Sequence, residues 1–221
     1  MDHLEAELER AQALDVAELA TAIETIGFEC TRCGGCCKGE VNDPHTATVF
    51  PDEIRSITEK GYDWRDVARP MPFGLDEDDA GETFEWALAT DGCGDCTFYA
   101  EADDGTGACR IHSDHPLICQ TYPFSVGSLL EEQDGGLGTT EPMGGVVDRE
   151  GPVRAHECEG LGRDIAREDA EALAETLKER AIRELEEAIG VRDNYEPADP
   201  DLDETVVHDS EGQKRPDGTP W

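Results

Sequence analysis

Lysine is scarce in this chain. Its 221 residues hold 18 lysines and arginines against 53 acids, a net charge of −35, and lysine stands only at Lys38, Lys60, Lys178 and Lys214. Phosphate contacts need clustered cations, so direct nucleic-acid binding is excluded. No run of about 18 apolar residues occurs, so no membrane-spanning helix is expected. The first residues lack the basic start and apolar stretch of a secretory signal, which points to the cytoplasm. There is no G-x-G-x-x-G and no Walker pattern, so the two Gly-Gly pairs in 134–146 read as loop. No nucleophile–base pair stands out either: Ser113, Asp114 and His115 are merely adjacent, which makes no triad. Hydrophobic residues are 37% of the chain and charged residues 32%, so the apolar core must be modest.

Cysteine is plentiful, with nine in all. Four fall within eight residues, Cys30, Cys33, Cys36 and Cys37, with Gly34 and Gly35 before the last pair. A C-x2-C step lets one tight turn present two sulfurs to one ion, and thiolate binds Zn2+ strongly and holds iron–sulfur clusters. Glycine suits such a turn because it takes positive φ without a Cβ penalty. Charged and glycine neighbours argue against a buried core role for these thiols. An odd count and a reducing compartment argue against a disulfide framework. The stretch therefore reads as a metal-binding knuckle, with redox thiols as the lesser reading. Cys93 and Cys96 form a second C-x2-C, and Cys109, Cys119 and Cys158 follow. Eight thiolates would fill two tetrahedral sites, or one site and one cluster. Adjacent residues of extended chain point opposite ways, so Cys36 and Cys37 are expected to serve different metals.

The ordered set from Phe28 through Cys30, Cys33, Cys36, Cys37 and Lys38 continues with Cys96 and Phe98, Cys109 and Ile111. It then runs through Pro116, Cys119, Tyr122, Pro123 and Cys158. Over residues 26–160 the chain resembles the CxxCxxCC family of zinc- or iron-chelating, YkgJ-type cysteine-cluster proteins. The resemblance implies metal ligation by Cys30, Cys33, Cys36, Cys37, Cys96, Cys109, Cys119 and Cys158. Cys93 has no firm counterpart in it. His112 stands where an aromatic is usual, and His115 and Gln120 where arginine is usual, so no anion-binding role is carried over. Either histidine could replace a thiolate, although a solvent-exposed polar loop is the plainer reading.

The cofactor expected is zinc, with iron or an iron–sulfur cluster as the alternative. Cys30, Cys33 and Cys36 match the first three ligands of a bacterial ferredoxin run, but Cys37 follows where three spacer residues would be needed. A closed site of four thiolates is structural and leaves no position for substrate, so a structural or accessory role is expected ahead of catalysis. Some relatives resemble flagellin lysine N-methylases, but no S-adenosylmethionine-binding loop is visible here. No protein partner is identified. Acids dispersed along the whole chain, with few lysines, resemble the proteins of salt-accumulating halophiles. On the same grounds Asp76, Glu77, Asp78 and Asp79 read as a solvated loop in preference to a hard-cation site.

The fold class expected is α+β: a small, irregular, cysteine-rich metal-binding core with a short antiparallel sheet, flanked by N- and C-terminal helices. Residues 1–27 read as an amphipathic helix, with Leu4, Leu8, Ala11, Val16, Leu19, Ile23 and Ile26 at three- and four-residue steps and Gly27 as its stop. Residues 28–160 form the metal-binding domain. Within it lie a helix from Pro51 to Lys60, a further turn over 62–68, and strands over 83–89, 97–100, 109–112 and 124–131. Residues 161–190 carry the C-terminal helix, with a stripe of Leu173, Leu177, Ala181, Leu185 and Ile189 and with Gly190 as its stop. Residues 191–221 read as an acidic disordered tail.

Overall fold

The computed structural model describes residues 3–127 and 145–221. Its helices are α1 (His3–Ala13), α2 (Val16–Ile26), α3 (Pro51–Thr58), α4 (Trp64–Val67), α5 (Leu117–Thr121) and α6 (Arg167–Asn194). Its strands are β1 (Thr48–Val49), β2 (Ala68–Pro70), β3 (Gly81–Phe84), β4 (Trp86–Leu88), β5 (Tyr99–Glu101) and β6 (Gly107–Cys109), followed by β7 (Phe124–Val126), β8 (Val146–Glu150), β9 (Val153–His156), β10 (Thr205–Asp209) and β11 (Gly212–Lys214). The class is α+β. The described residues divide into two compact units. The first lies within Met1–Cys36, Ala100–Cys109 and Leu117–Glu186, the second within Cys37–Tyr99, Arg110–Pro116 and Glu187–Trp221.

In the first unit the expected N-terminal helix is two helices. Asp15 breaks it, because its side chain accepts from the Ala17 and Glu18 amides at 2.8 and 3.0 Å and so caps α2. Leu19, Ala20 and Ile23 of α2 then pack with Phe124, Val153 and Ala155 of the antiparallel sheet β7-β9-β8, and with Ala170, Ala174, Leu177 and Ala181 of α6. Small residues along α6 let it lie close to its neighbours, and full burial of such aliphatic side chains contributes about 1.5–3 kcal/mol each for the larger ones. Arg180 is buried in this unit. It pairs with Glu184 at 2.8 Å and donates to Thr121 Oγ1 at 2.9 Å and to the Phe124 carbonyl at 3.1 Å. The end of α5, and with it the stretch bearing Cys119, is thereby tied to α6. The strand expected over 124–131 is observed as Phe124–Val126, and its remainder from residue 128 lies outside the described residues. Most of the 134–146 loop lies outside them too, while Val146 already belongs to β8.

In the second unit the strand expected over 83–89 is split at Glu85, whose φ is +65°. Its first part, β3, pairs parallel with β10, and its second part, β4, is the centre of the antiparallel sheet β1-β4-β2. The expected antiparallel pairing is present, and the parallel pair of β3 with β10 stands beside it. The disordered tail is a larger correction. The structure shows β10 and β11 as a hairpin with Val206 and Val207 fully buried. Asp209, 2% exposed, accepts from Trp86 Nε1 at 2.8 Å and pairs with Lys214 at 2.8 Å. Gly190 is likewise no stop: α6 continues to Asn194. A Cβ at Gly190 would meet Ser210 Cβ at 2.7 Å, so glycine there serves a close approach.

Candidate metal centre

The knuckle is anchored by a short ladder. Gly27 ends α2 at φ +77°, with its amide on the Ile23 carbonyl at 2.8 Å. Phe28 then bridges Leu161 antiparallel, the Glu29 amide donates to the Gly160 carbonyl at 3.0 Å, and the Gly162 amide to the Gly27 carbonyl at 3.0 Å. This ladder delivers Cys30 beside the limb that carries Cys158. A Cβ on Gly160 would meet the Glu29 carbonyl oxygen at 2.3 Å, so only glycine permits the approach. Arg32 and Gly34 take φ of +58° and +76°, and Gly35–Cys37 closes as a single 3-10 turn. The Gly107 amide on the Arg32 carbonyl at 2.7 Å ties β6, whose last residue is Cys109, to the knuckle.

In the first unit three thiols of the knuckle bear on Cys158. Burial pushes the Cys158 thiol up from its ordinary value, and the charges of Cys33, Cys36 and Cys30 push it further, against an opposing Gly160 amide that donates to Cys158 Sγ at 3.4 Å. Tyr122 senses the same group: burial raises its hydroxyl first, then Cys158, Cys36, Cys33 and Glu157. Its hydroxyl donates to the Glu157 carbonyl. A thiol whose ionisation is opposed by burial and by neighbouring thiolates is in the condition a bound cation relieves. The donor set is all sulfur, which suits zinc or iron. Cys119, half-buried on α5, belongs to this unit as well.

In the second unit Cys37 is placed by its carbonyl, which accepts from the Cys96 amide at 2.8 Å. Around that contact two loops pack backbone to backbone. The Gly39 amide donates to Asp95 Oδ1 at 2.9 Å and the His45 amide to the Gly94 carbonyl at 2.7 Å. Asp91 shapes the second C-x2-C turn by accepting from the Cys93 and Asp95 amides at 2.8 and 3.2 Å. Cys96 is buried and Cys93 exposed on that turn. His112 and His115 stack at 4.9 Å between centroids, and burial, then the His112 charge, pushes the His115 imidazole down. Asp114 between them pairs with Lys60 at 3.2 Å.

Among the described residues, no three Cys, His, Asp or Glu side chains stand in ready metal-ligating geometry. The structure thus brings Cys30, Cys33, Cys36 and Cys158 into electrostatic reach, and joins Cys37 to Cys96 through the main chain. Cys109 and Cys119 are attached to the first unit by β6 and α5. None of the nine cysteines is in a disulfide. Sequence reasoning quoted Tyr122 within its motif but gave it no role, and it passed over Gly160 and Asp91. The roles of Tyr122 and Gly160 rest on contacts over long separations, whereas Asp91 acts on amides two and four residues away, and an aspartate opening a glycine-bearing turn is its local sign.

A family model described as "Putative zinc- or iron-chelating domain" matches residues 29–159. No curated protein and no solved structure matches the chain. Among the described residues no helix is long and apolar enough to cross a membrane.

Proposed function

The chain belongs to the CxxCxxCC family, and on that premise we propose that it binds zinc through two sets of thiolates, as a structural or accessory metal protein of a reducing cytoplasm. The observation that carries the reading is that Cys158, tied by the Glu29–Gly160 bond to the knuckle, lies within the electrostatic reach of Cys33, Cys36 and Cys30. Those four thiols would hold one ion, with sulfur as every ligand. Cys37, Cys96, Cys109 and Cys119 complete the eight thiolates that the family resemblance implies. A metal bound this way supplies folding free energy by joining segments far apart in sequence, which suits a chain with so little apolar core. Zinc is favoured over iron because a glycine-bearing knuckle built from C-x2-C steps fits a tetrahedral structural ion. The dispersed acidity supports a salt-rich interior as its setting, where self-repulsion is screened.

Anaerobic purification followed by elemental analysis and a visible spectrum tests this. A colourless protein with about two zinc ions, the number that eight thiolates fill at four each, is the expected result. A brown protein containing iron and acid-labile sulfide would overturn zinc in favour of an iron–sulfur cluster. A metal-free protein with every thiol reactive would overturn metal binding itself.

A further inference from the structure

We infer that Tyr122 is a positioning residue for the metal centre: its hydroxyl fixes the limb that presents Cys158 to Cys30, Cys33 and Cys36. The inference rests on the metal-binding reading of those four thiols. Tyr122 Oη donates to the carbonyl of Glu157, the residue immediately before Cys158. Tyr122 itself sits between α5 and β7, and is held from both sides. Behind it, Thr121 Oγ1 takes the Arg180 guanidinium at 2.9 Å. Ahead of it, β7 pairs with β9 in the register Phe124 to Ala155, and the His156 amide donates to the Pro123 carbonyl at 2.9 Å. Beyond that rung the tie between the two chains passes to the tyrosine hydroxyl. The far side of Cys158 is fixed independently, because the Gly160 carbonyl accepts the Glu29 amide at 3.0 Å. Glu157 is also held through its own amide, which donates to the Gly145 carbonyl at 3.0 Å, so Cys158 lies in a short span fixed at both ends and Tyr122 supplies the side-chain clamp on its near end. Groups that orient a metal ligand from outside the coordination shell typically change metal affinity by about 10–100-fold when removed.

The test uses the full chain in molar salt with Co2+ as the probe. Affinity is read by competition with a chromophoric chelator, and ligation by the thiolate-to-cobalt charge-transfer band. Tyr122→Phe keeps the ring and removes the hydroxyl. It is expected to retain the parent's circular dichroism, to bind Co2+ about tenfold more weakly, and to show a weaker charge-transfer band per cobalt. Introduced into Cys158→Ser, the same change is expected to cost nothing further, since groups acting through one another are non-additive. Parent-like affinity and spectrum in Tyr122→Phe would overturn the inference. An equal loss in the Cys158→Ser background would do so too, since the tyrosine would then act on the whole unit. Loss of the native circular dichroism in Tyr122→Phe overturns it as well, because the residue is then part of the fold. A parent protein that binds no Co2+ sinks the metal reading beneath it, and that result is visible before any variant is made.

Discussion

Cys158 is held protonated by two separate causes, burial and the charge of Cys33, Cys36 and Cys30. Metal binds the thiolate, so loading the site must expel that proton, and affinity must strengthen as pH rises. The expected outcome is a zinc affinity that climbs steeply from about pH 6 to about pH 8, with several protons released per ion. Cys158→Ser should release about one proton fewer and bind less zinc. Calorimetry in two buffers of different ionisation enthalpy counts the protons, and an unchanged count in the variant would remove Cys158 from the ligand set. Without metal the sign reverses. Above the ordinary thiol range the unfolded chain gives up a proton that folded Cys158 retains, so the metal-free unit weakens as pH rises.

At the scale of elements, the knuckle was legible because its spacing is local, whereas the elements around it depended on partners the sequence does not announce. The break between α1 and α2 had a local sign, Asp15 with Glu18 three residues later, but the helical period running through both helices masked it. Asp15→Ala should remove two capping bonds and cost about 1 kcal/mol, read as a lowered denaturation midpoint. Gly190 looked like a stop because nothing nearby reveals Ser210, whose Cβ needs the space. The hairpin of β10 and β11 hid inside an acidic average, since two valines and a glycine turn carry it. Its link to α3 titrates: Arg55 and Lys214 hold the Glu211 carboxyl down to about 2, from an ordinary 4.5. The unfolded chain binds the proton first, so this stability is complete above about 4.5 and is lost as pH falls toward about 2. Glu211→Gln should abolish that part of the acid dependence in a pH series of melts. An identical acid profile in the variant would show that the ion pair contributes nothing, as many exposed pairs do.

For the whole molecule the deciding quantity is charge, −35 from 53 acids and 18 bases. Composition alone made this legible, and ion pairs such as Arg55–Glu211 and Arg167–Glu24 leave the imbalance in place, because each sets one base against one acid. Self-repulsion of this size opposes the compact state, and a core drawn from 37% hydrophobic residues offsets it weakly. Dilution from molar salt to about 0.1 M lengthens the Debye length from about 3 to about 10 Å, so charges that had been independent begin to repel. Loss of far-ultraviolet circular dichroism over that dilution is the expected outcome, and an unchanged spectrum would refute it. Zinc should move the transition to lower salt, since a ligand that binds only the folded state adds stability by mass action. The anion then separates two mechanisms. If screening is what holds the protein together, chloride and sulfate at equal ionic strength will protect it equally. If salt acts mainly by strengthening apolar burial, sulfate will protect at far lower concentration, because it is excluded from protein surfaces. The acidity favours the first outcome, and a strong preference for sulfate would show that the small core, and not the charge, sets the salt requirement.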